Sequence, residues 1–269
     1  MIVAALIIAL PVAALLLATA AIYAAARRRG EAGTAPLPAA AAALAFLRES
    51  LAMLALITAR LLPARAEPID RTPHRVALLI PEMHCSASSF WYLLRHLHAH
   101  GWAGAAGPPR TIGAAQTFAA LDARIAALPP ACELVLIGHG IGGLLAHRYV
   151  QARPAARIRH VVTLGTPHQG SAALPYRLLS DRGAIPPALP ATGAASTDVI
   201  AIYSDFDAWL VPVDDAYCPG GFNIAVRGVG HCAMLLSRRV ADLIVENLAA
   251  PVGVMSAAPT VPIPRDGCT

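Results

Sequence analysis

The sequence predicts an α/β domain, a mostly parallel central sheet flanked by helices, with a transmembrane helix ahead of it. Three observations predict this. Short β-rich apolar runs alternate with helical stretches from Val76 onward. One of those runs, ELVLI at residues 133–137, feeds through GHGIGG directly into a helical stretch. The chain also opens on 26 residues without a charge (MIVAALIIALPVAALLLATAAIYAAA), more than the roughly 20 that a helix needs to cross a bilayer.

The strands are expected at Val76 to Ile80, Glu133 to Ile137, His160 to Leu164, Val199 to Tyr203 and Phe222 to Val226. Each is an apolar run of strand length bounded by turn-forming residues, as buried parallel strands are. The organisation that follows is a membrane helix and basic flank over 1–29, a linker with a further helix over 30–75, the α/β domain over 76–250, and a proline-rich, aperiodic tail over 251–269 expected to be disordered.

Composition bounds the function. The 269 residues are 57% hydrophobic and only 14% charged, so part of the excess is expected to face lipid, since ordinary soluble domains carry roughly 25% charged residues. The net charge is +5, carried by scattered arginines with one cluster at Arg27, Arg28 and Arg29. That distribution excludes a nucleic-acid groove and fits a membrane flank. A bacterial inner membrane is the expected location, and the bilayer the expected partner. Residues 38–62 are helical and apolar but carry Arg48 and Glu49 mid-segment, each costing about 2.5–3.5 kcal/mol at the centre of a bilayer. An interfacial or domain-packing helix is expected there. A second span, which would move the domain to the other side of the membrane, is the alternative. The five cysteines (Cys85, Cys132, Cys218, Cys232, Cys268) show no zinc-site spacing, so neither a metal nor a cofactor is expected. His96, His98 and His100 read as a solvated helix end, and His168 as structural.

The run Glu133 to Val150 places Gly138, His139, Gly140, Ile141 and Gly142 in a sharp strand-to-helix turn. In the G-x-S-x-G nucleophile elbow the central serine sits on such a turn at a helix N-terminus, with small neighbours because strand and helix approach closely. The sequence here resembles the bacterial triacylglycerol lipase and esterase branch of the α/β-hydrolases. Further segments are similar to that family in the same order: VALLIPEMHCSASSFW with the first core strand and oxyanion loop, HVVTLGTPHQGS with the strand and loop after the elbow helix, IYSDFDAWLVP with the loop bearing the acid, and NIAVRGVGHCAMLLS with the loop bearing the histidine. The resemblance covers about 175 residues and implies an α/β-hydrolase fold. It implies that Asp207 and His231 stand at the acid and histidine positions, and that the backbone N–H groups of Met83 and Ile141 are the oxyanion donors.

Two departures bear on activity. Gly140 stands at the nucleophile position and has no atom to attack a carbonyl, and Pro81-Glu82 replaces the family's His-Gly ahead of the oxyanion donor. A catalytically impaired lipase homologue with an apolar ligand pocket is therefore the leading expectation. An active lipid or carboxylic ester hydrolase using Asp207 and His231 with water or another nucleophile, and a membrane scaffold that binds a protein partner, are the alternatives.

Overall fold

The computed structural model describes residues 20, 37–59, 74–82, 85–106, 114–153, 157–171, 197–210 and 212–249. The expected membrane helix at 1–29, apart from Ala20, the expected oxyanion donor Met83 and the tail at 251–269 lie outside the described residues.

The elements follow in the order α1 (Ala39–Ala59), β1 (Arg75–Ile80), α2 (Trp91–Ala99), β2 (Ala103–Ala106), α3 (Ala114–Ala126), β3 (Glu133–His139), α4 (Ile141–Ala152), β4 (Ile158–Leu164), β5 (Asp198–Ser204), β6 (Phe222–Val226) and α5 (Arg238–Leu248). Six strands form one parallel sheet in the order β2-β1-β3-β4-β5-β6. It is flanked by helices, the architecture that the resemblance implies. The five expected strands form within two residues of their expected ends. The edge strand β2 was not expected, because AGAA has no β-branched or aromatic residue to mark it.

Side chains alternate across the pleat, so each central strand supplies two cores. Ala77, Leu79, Val135, Ile137, Val162, Leu164, Ile200, Ile202 and Val226 face α1, α2 and α5. Val76, Leu78, Ile80, Leu134, Leu136 and Val161 face α3 and α4 through Leu121, Ala146, Tyr149 and Val150. This two-sided burial is why the strands read as unbroken apolar runs.

The sheet order reverses between β1 and β3. In open parallel sheets a crevice forms at such a reversal, beyond the C-terminal strand ends. The register pairs Ile80 with Gly138, which brings Glu82, two residues past β1, beside the turn that follows β3.

The helix α1 docks on the domain by an unusual polar contact. Its buried residues include Ala45, Glu49, Ala52, Leu56 and Ala59, spaced by three and four so that they share one face. Glu49 is 1% exposed. Its carboxylate accepts hydrogen bonds from the backbone N–H groups of Cys232 (3.0 Å) and Ala233 (2.9 Å), at the start of the 3-10 turn Cys232–Leu236. A Cβ on Gly230 would strike the Glu49 carboxylate, so glycine there admits the acid. The opposite face exposes Leu44, Leu47, Leu51 and Ile57. Apolar on both sides, the helix has no hydrophobic periodicity from which its docking face could be read. It is long and apolar enough to cross a membrane by length and composition.

Candidate active site

The turn at the tip of β3 has the elbow's backbone. Gly140 lies at φ 54° and ψ −123°, a region that costs a residue with a Cβ about 1–3 kcal/mol. Its N–H donates to the Leu164 carbonyl, 2.9 Å, and its own carbonyl accepts from the Thr166 hydroxyl, 3.0 Å. Gly138 and Gly142 are fixed by close approach. A Cβ on Gly138 would overlap the Gly143 backbone, and one on Gly142 would overlap the carbonyl oxygens of Ile80 and Pro81. Because backbone cannot swing aside as a side chain can, these two positions admit only glycine.

The chain therefore keeps the strained turn after losing the side chain that it serves to aim. Gly140→Ser is expected to lower Tm, because a cost of about 1–3 kcal/mol translates at this size into roughly 2–4 °C per kcal/mol. Thermal unfolding followed by circular dichroism reads it, and an unchanged or higher Tm would count against stored strain.

Asp207 and His231 come together as the resemblance implies. His231 Nδ1 is 2.8 Å from Asp207 Oδ2, and the other carboxylate oxygen accepts from the Trp209 N–H at 2.9 Å. Burial pushes the Asp207 carboxyl up to about 7, against the hydrogen bond from the Trp209 N–H. Two rings pack against the imidazole: Trp209 stacks on it at 5.1 Å and 12°, and His139 lies at 4.3 Å. His139 Nε2 also meets the His231 carbonyl at 3.0 Å. Burial, with the neighbouring His231 adding to it, drives the His139 pKa down to about 3, so this ring stays neutral and acts as a wall. Gly165 forms the floor: a Cβ there would stand 2.7 Å from Asp207 Oδ2 and 2.9 Å from His231 Nδ1.

The N–H of Ile141, the expected oxyanion donor, is engaged within the chain. Its N–H donates to Glu82 Oε2 at 2.8 Å. The same oxygen lies 4.0 Å from His231 Nε2, and Glu82 is 2% exposed. One carboxylate thus spans the two groups that a serine oxygen and an oxyanion would use. A negative charge at a helix N-terminus is favourable there for the reason an oxyanion would be, since the first N–H groups of a helix lack the acceptor one turn back that later ones have and carry the positive end of its dipole. Sequence reasoning identified Glu82 as a departure but not where its side chain goes.

A cavity of about 550 Å³ lies between α1 and the 228–238 segment, lined by Leu51, Ala52, Val229 and Leu236, with Arg48 and Arg238 beside them. None of its lining residues belongs to the elbow or to the Asp207–His231 pair.

No protein-family model and no curated protein matches the chain. Solved structures that resemble it include a metagenomic carboxyl esterase (16% identity, 68% of this chain and 78% of that one, TM-score 0.49). Another belongs to the metagenome-derived lipolytic enzymes LipS and LipT (17%, 70% and 96%, TM-score 0.48). A third is polyneuridine aldehyde esterase (14%, 66% and 100%, TM-score 0.49). At these identities the chemistry has to be read from this chain's own residues.

Proposed function

We propose that this chain is a membrane-anchored α/β-hydrolase homologue of the lipase and esterase type whose hydrolytic centre is closed by its own Glu82. The observation that carries the proposal is the 2.8 Å hydrogen bond from the Ile141 N–H to the Glu82 carboxylate, beside a Gly140 with nothing to attack a carbonyl. A tetrahedral oxyanion formed here would meet a carboxylate in place of a free donor, and the electrostatic stabilisation on which acyl transfer depends would be lost. Without the nucleophile, catalysis of about 10³–10⁴-fold over water is the usual residue of such a centre, and the occupied donor removes part of that. The wild-type chain is expected to release p-nitrophenol from a short-chain p-nitrophenyl ester at the same rate as its His231→Ala variant. Turnover in the wild type that His231→Ala abolishes would overturn this reading in favour of a working hydrolase.

The anchor is residues 1–29, charge-free until the arginine cluster. The outward leucines of α1 extend the contact along the membrane surface, as interfacial helices do. Glu49 supports an interfacial rather than a spanning α1, because its carboxylate is held by the domain. α1 packs against the turn Ala87–Phe90 that leads into α2, where Trp91 is 51% exposed, while Trp102 and Trp209 are buried. In liposomes containing brominated lipid the fluorescence of the full chain is expected to be quenched, and Trp91→Phe to remove most of that quenching. Quenching that survives the substitution would argue against this orientation. The cavity between α1 and the 228–238 segment is the place we assign to an apolar ligand, since Leu51, Ala52, Val229 and Leu236 give it an apolar lining beside Arg48 and Arg238 and it lies at the membrane-facing helix.

A further inference from the structure

We propose that His147, His168 and Cys218 form a binding site for a divalent zinc-type cation, separate from the Asp207–His231 centre. The three come from different parts of the fold: His147 from the second turn of α4, His168 from the TPHQG loop after β4, and Cys218 from the segment ahead of β6. One donor atom from each lies within 4.8 Å of the others. His147 Nδ1 and His168 Nδ1 are 3.4 Å apart, and Cys218 Sγ is 3.9 Å from His147 Nδ1. Zinc bonds of about 2.0–2.1 Å to imidazole and 2.3 Å to thiolate set tetrahedral ligand separations of about 3.3 Å for N···N and 3.6 Å for S···N. The two nitrogens already stand at that spacing. The sulfur, 3.9 Å from His147 Nδ1 and within 4.8 Å of the His168 donor, has to close each gap to about 3.6 Å.

The surroundings aim these atoms as a metal site requires. His168 Nε2 pairs with the Thr163 hydroxyl at 2.9 Å inside the core, the hydrogen bond to the remote ring nitrogen that fixes a ligating histidine's orientation and tautomer. With Nε2 carrying the proton, Nδ1 presents its lone pair to the cluster. The Gln151 amide lies 3.2 Å from His147 Nε2, and with its oxygen turned inward it holds the second imidazole in the same tautomer. Burial, followed by the charge of Arg148, takes His147 down to about 4, and burial followed by His147 takes His168 down to about 3, so both rings are neutral ligands near pH 7.

Cys218 is buried, and its sulfur lies 3.9 Å from His147 Nδ1 and 4.0 Å from the Pro219 carbonyl oxygen. Its backbone is pinned by Asn223, whose side chain accepts from the Cys218 N–H at 2.8 Å and donates to the Cys218 carbonyl at 3.0 Å. Binding would release one proton, from the Cys218 thiol to solvent, and leave a thiolate and two neutral imidazoles on the ion. Three protein ligands with a half-buried His147 leave the fourth position of the tetrahedron to water or to an incoming ligand. A thiolate with two imidazoles selects zinc over the oxygen-seeking cations magnesium and calcium.

The experiment uses the full chain in detergent, stripped with a chelator and titrated with cobalt(II), which reports zinc-type sites by colour. The expected result is a thiolate-to-cobalt charge-transfer band that saturates at one equivalent and is bleached by one equivalent of zinc. Cys218→Ser is expected to lose the band while its far-ultraviolet circular dichroism matches the wild type, and His147→Gln to weaken binding at least tenfold. Absence of the band in the folded wild type, or its persistence in Cys218→Ser, overturns the proposal. The wild-type titration decides even where a variant fails to fold, and it is independent of ester hydrolysis.

Discussion

The variant Gly140→Ser/Glu82→Gly is expected to hydrolyse p-nitrophenyl acetate about 10²–10³ times faster than Gly140→Ser alone, the span associated with one oxyanion donor. In the single variant a serine hydroxyl would stand on an intact elbow, but the Ile141 N–H would still be donating to Glu82 and the carboxylate would still lie 4.0 Å from His231 Nε2. The hydroxyl would find an acceptor in Glu82 that competes with the histidine, and the developing oxyanion would face a negative charge. Removing the Glu82 side chain frees the donor and clears the histidine's outer nitrogen. The Asp207–His231 pair is already in place for the test: His231 Nδ1 is 2.8 Å from Asp207 Oδ2, and Trp209 and His139 lie against the imidazole.

Adding His231→Ala to the double variant is expected to return the rate to that of Gly140→Ser, since nucleophile and base act as a unit. Gly140→Ser/Glu82→Gln separates charge from occupancy, because the amide fills the same space without the charge. Equal rates for Gly140→Ser and the double variant would show that Glu82 does not obstruct the centre. A double variant whose activity ignores His231→Ala would falsify the claim that the pair is poised.

The largest expected effect on stability is at Glu49. Glu49→Leu strands two buried N–H groups, those of Cys232 and Ala233, at about 1–3 kcal/mol each. A loss of about 2–6 kcal/mol corresponds to a Tm lower by roughly 2–4 °C per kcal/mol. The same position carries a pH signature. Burial pushes the Glu49 carboxyl from 4.5 up to about 7, so between those pH values the folded chain holds a proton that the unfolded chain has released. Stability from this group is therefore full below about 4.5, falls as pH rises through the window, and is level above about 7, with a slope of at most about 1.4 kcal/mol per pH unit. The Tm difference between wild type and Glu49→Gln, measured from pH 4.5 to 8, is expected to follow that curve, because glutamine has no proton to lose. A difference independent of pH would mean that Glu49 titrates as it does in the unfolded chain.

Local pattern made much of the site legible. Strand ends were readable because buried parallel strands are continuous apolar runs between turn residues, and the elbow was readable because its glycines stand at fixed spacing within one short run, although the contact that requires Gly142 comes from the distant end of β1. Asp207 and His231 were located through the resemblance of the loops that bear them, and the 2.8 Å contact joins them. The cluster of His147, His168 and Cys218 offered no signal of this kind. Metal-site spacing is visible only when ligands share one turn or hairpin, and these lie on three elements that the sheet brings together.

By itself the sequence determined the alternation that builds the parallel sheet, the strained turn at Gly138, Gly140 and Gly142, and the loss of the attacking side chain, since each is set by residue type over a few positions. Only the tertiary structure decided where two carboxylates go. Glu82 turns onto the Ile141 N–H because the sheet order reverses between β1 and β3 and sets their tips side by side. Glu49 points into the domain because two unpaired N–H groups await it there. A buried charge is placed by the donors that can satisfy it, and those donors lie 59 residues away from Glu82 and 183 and 184 from Glu49.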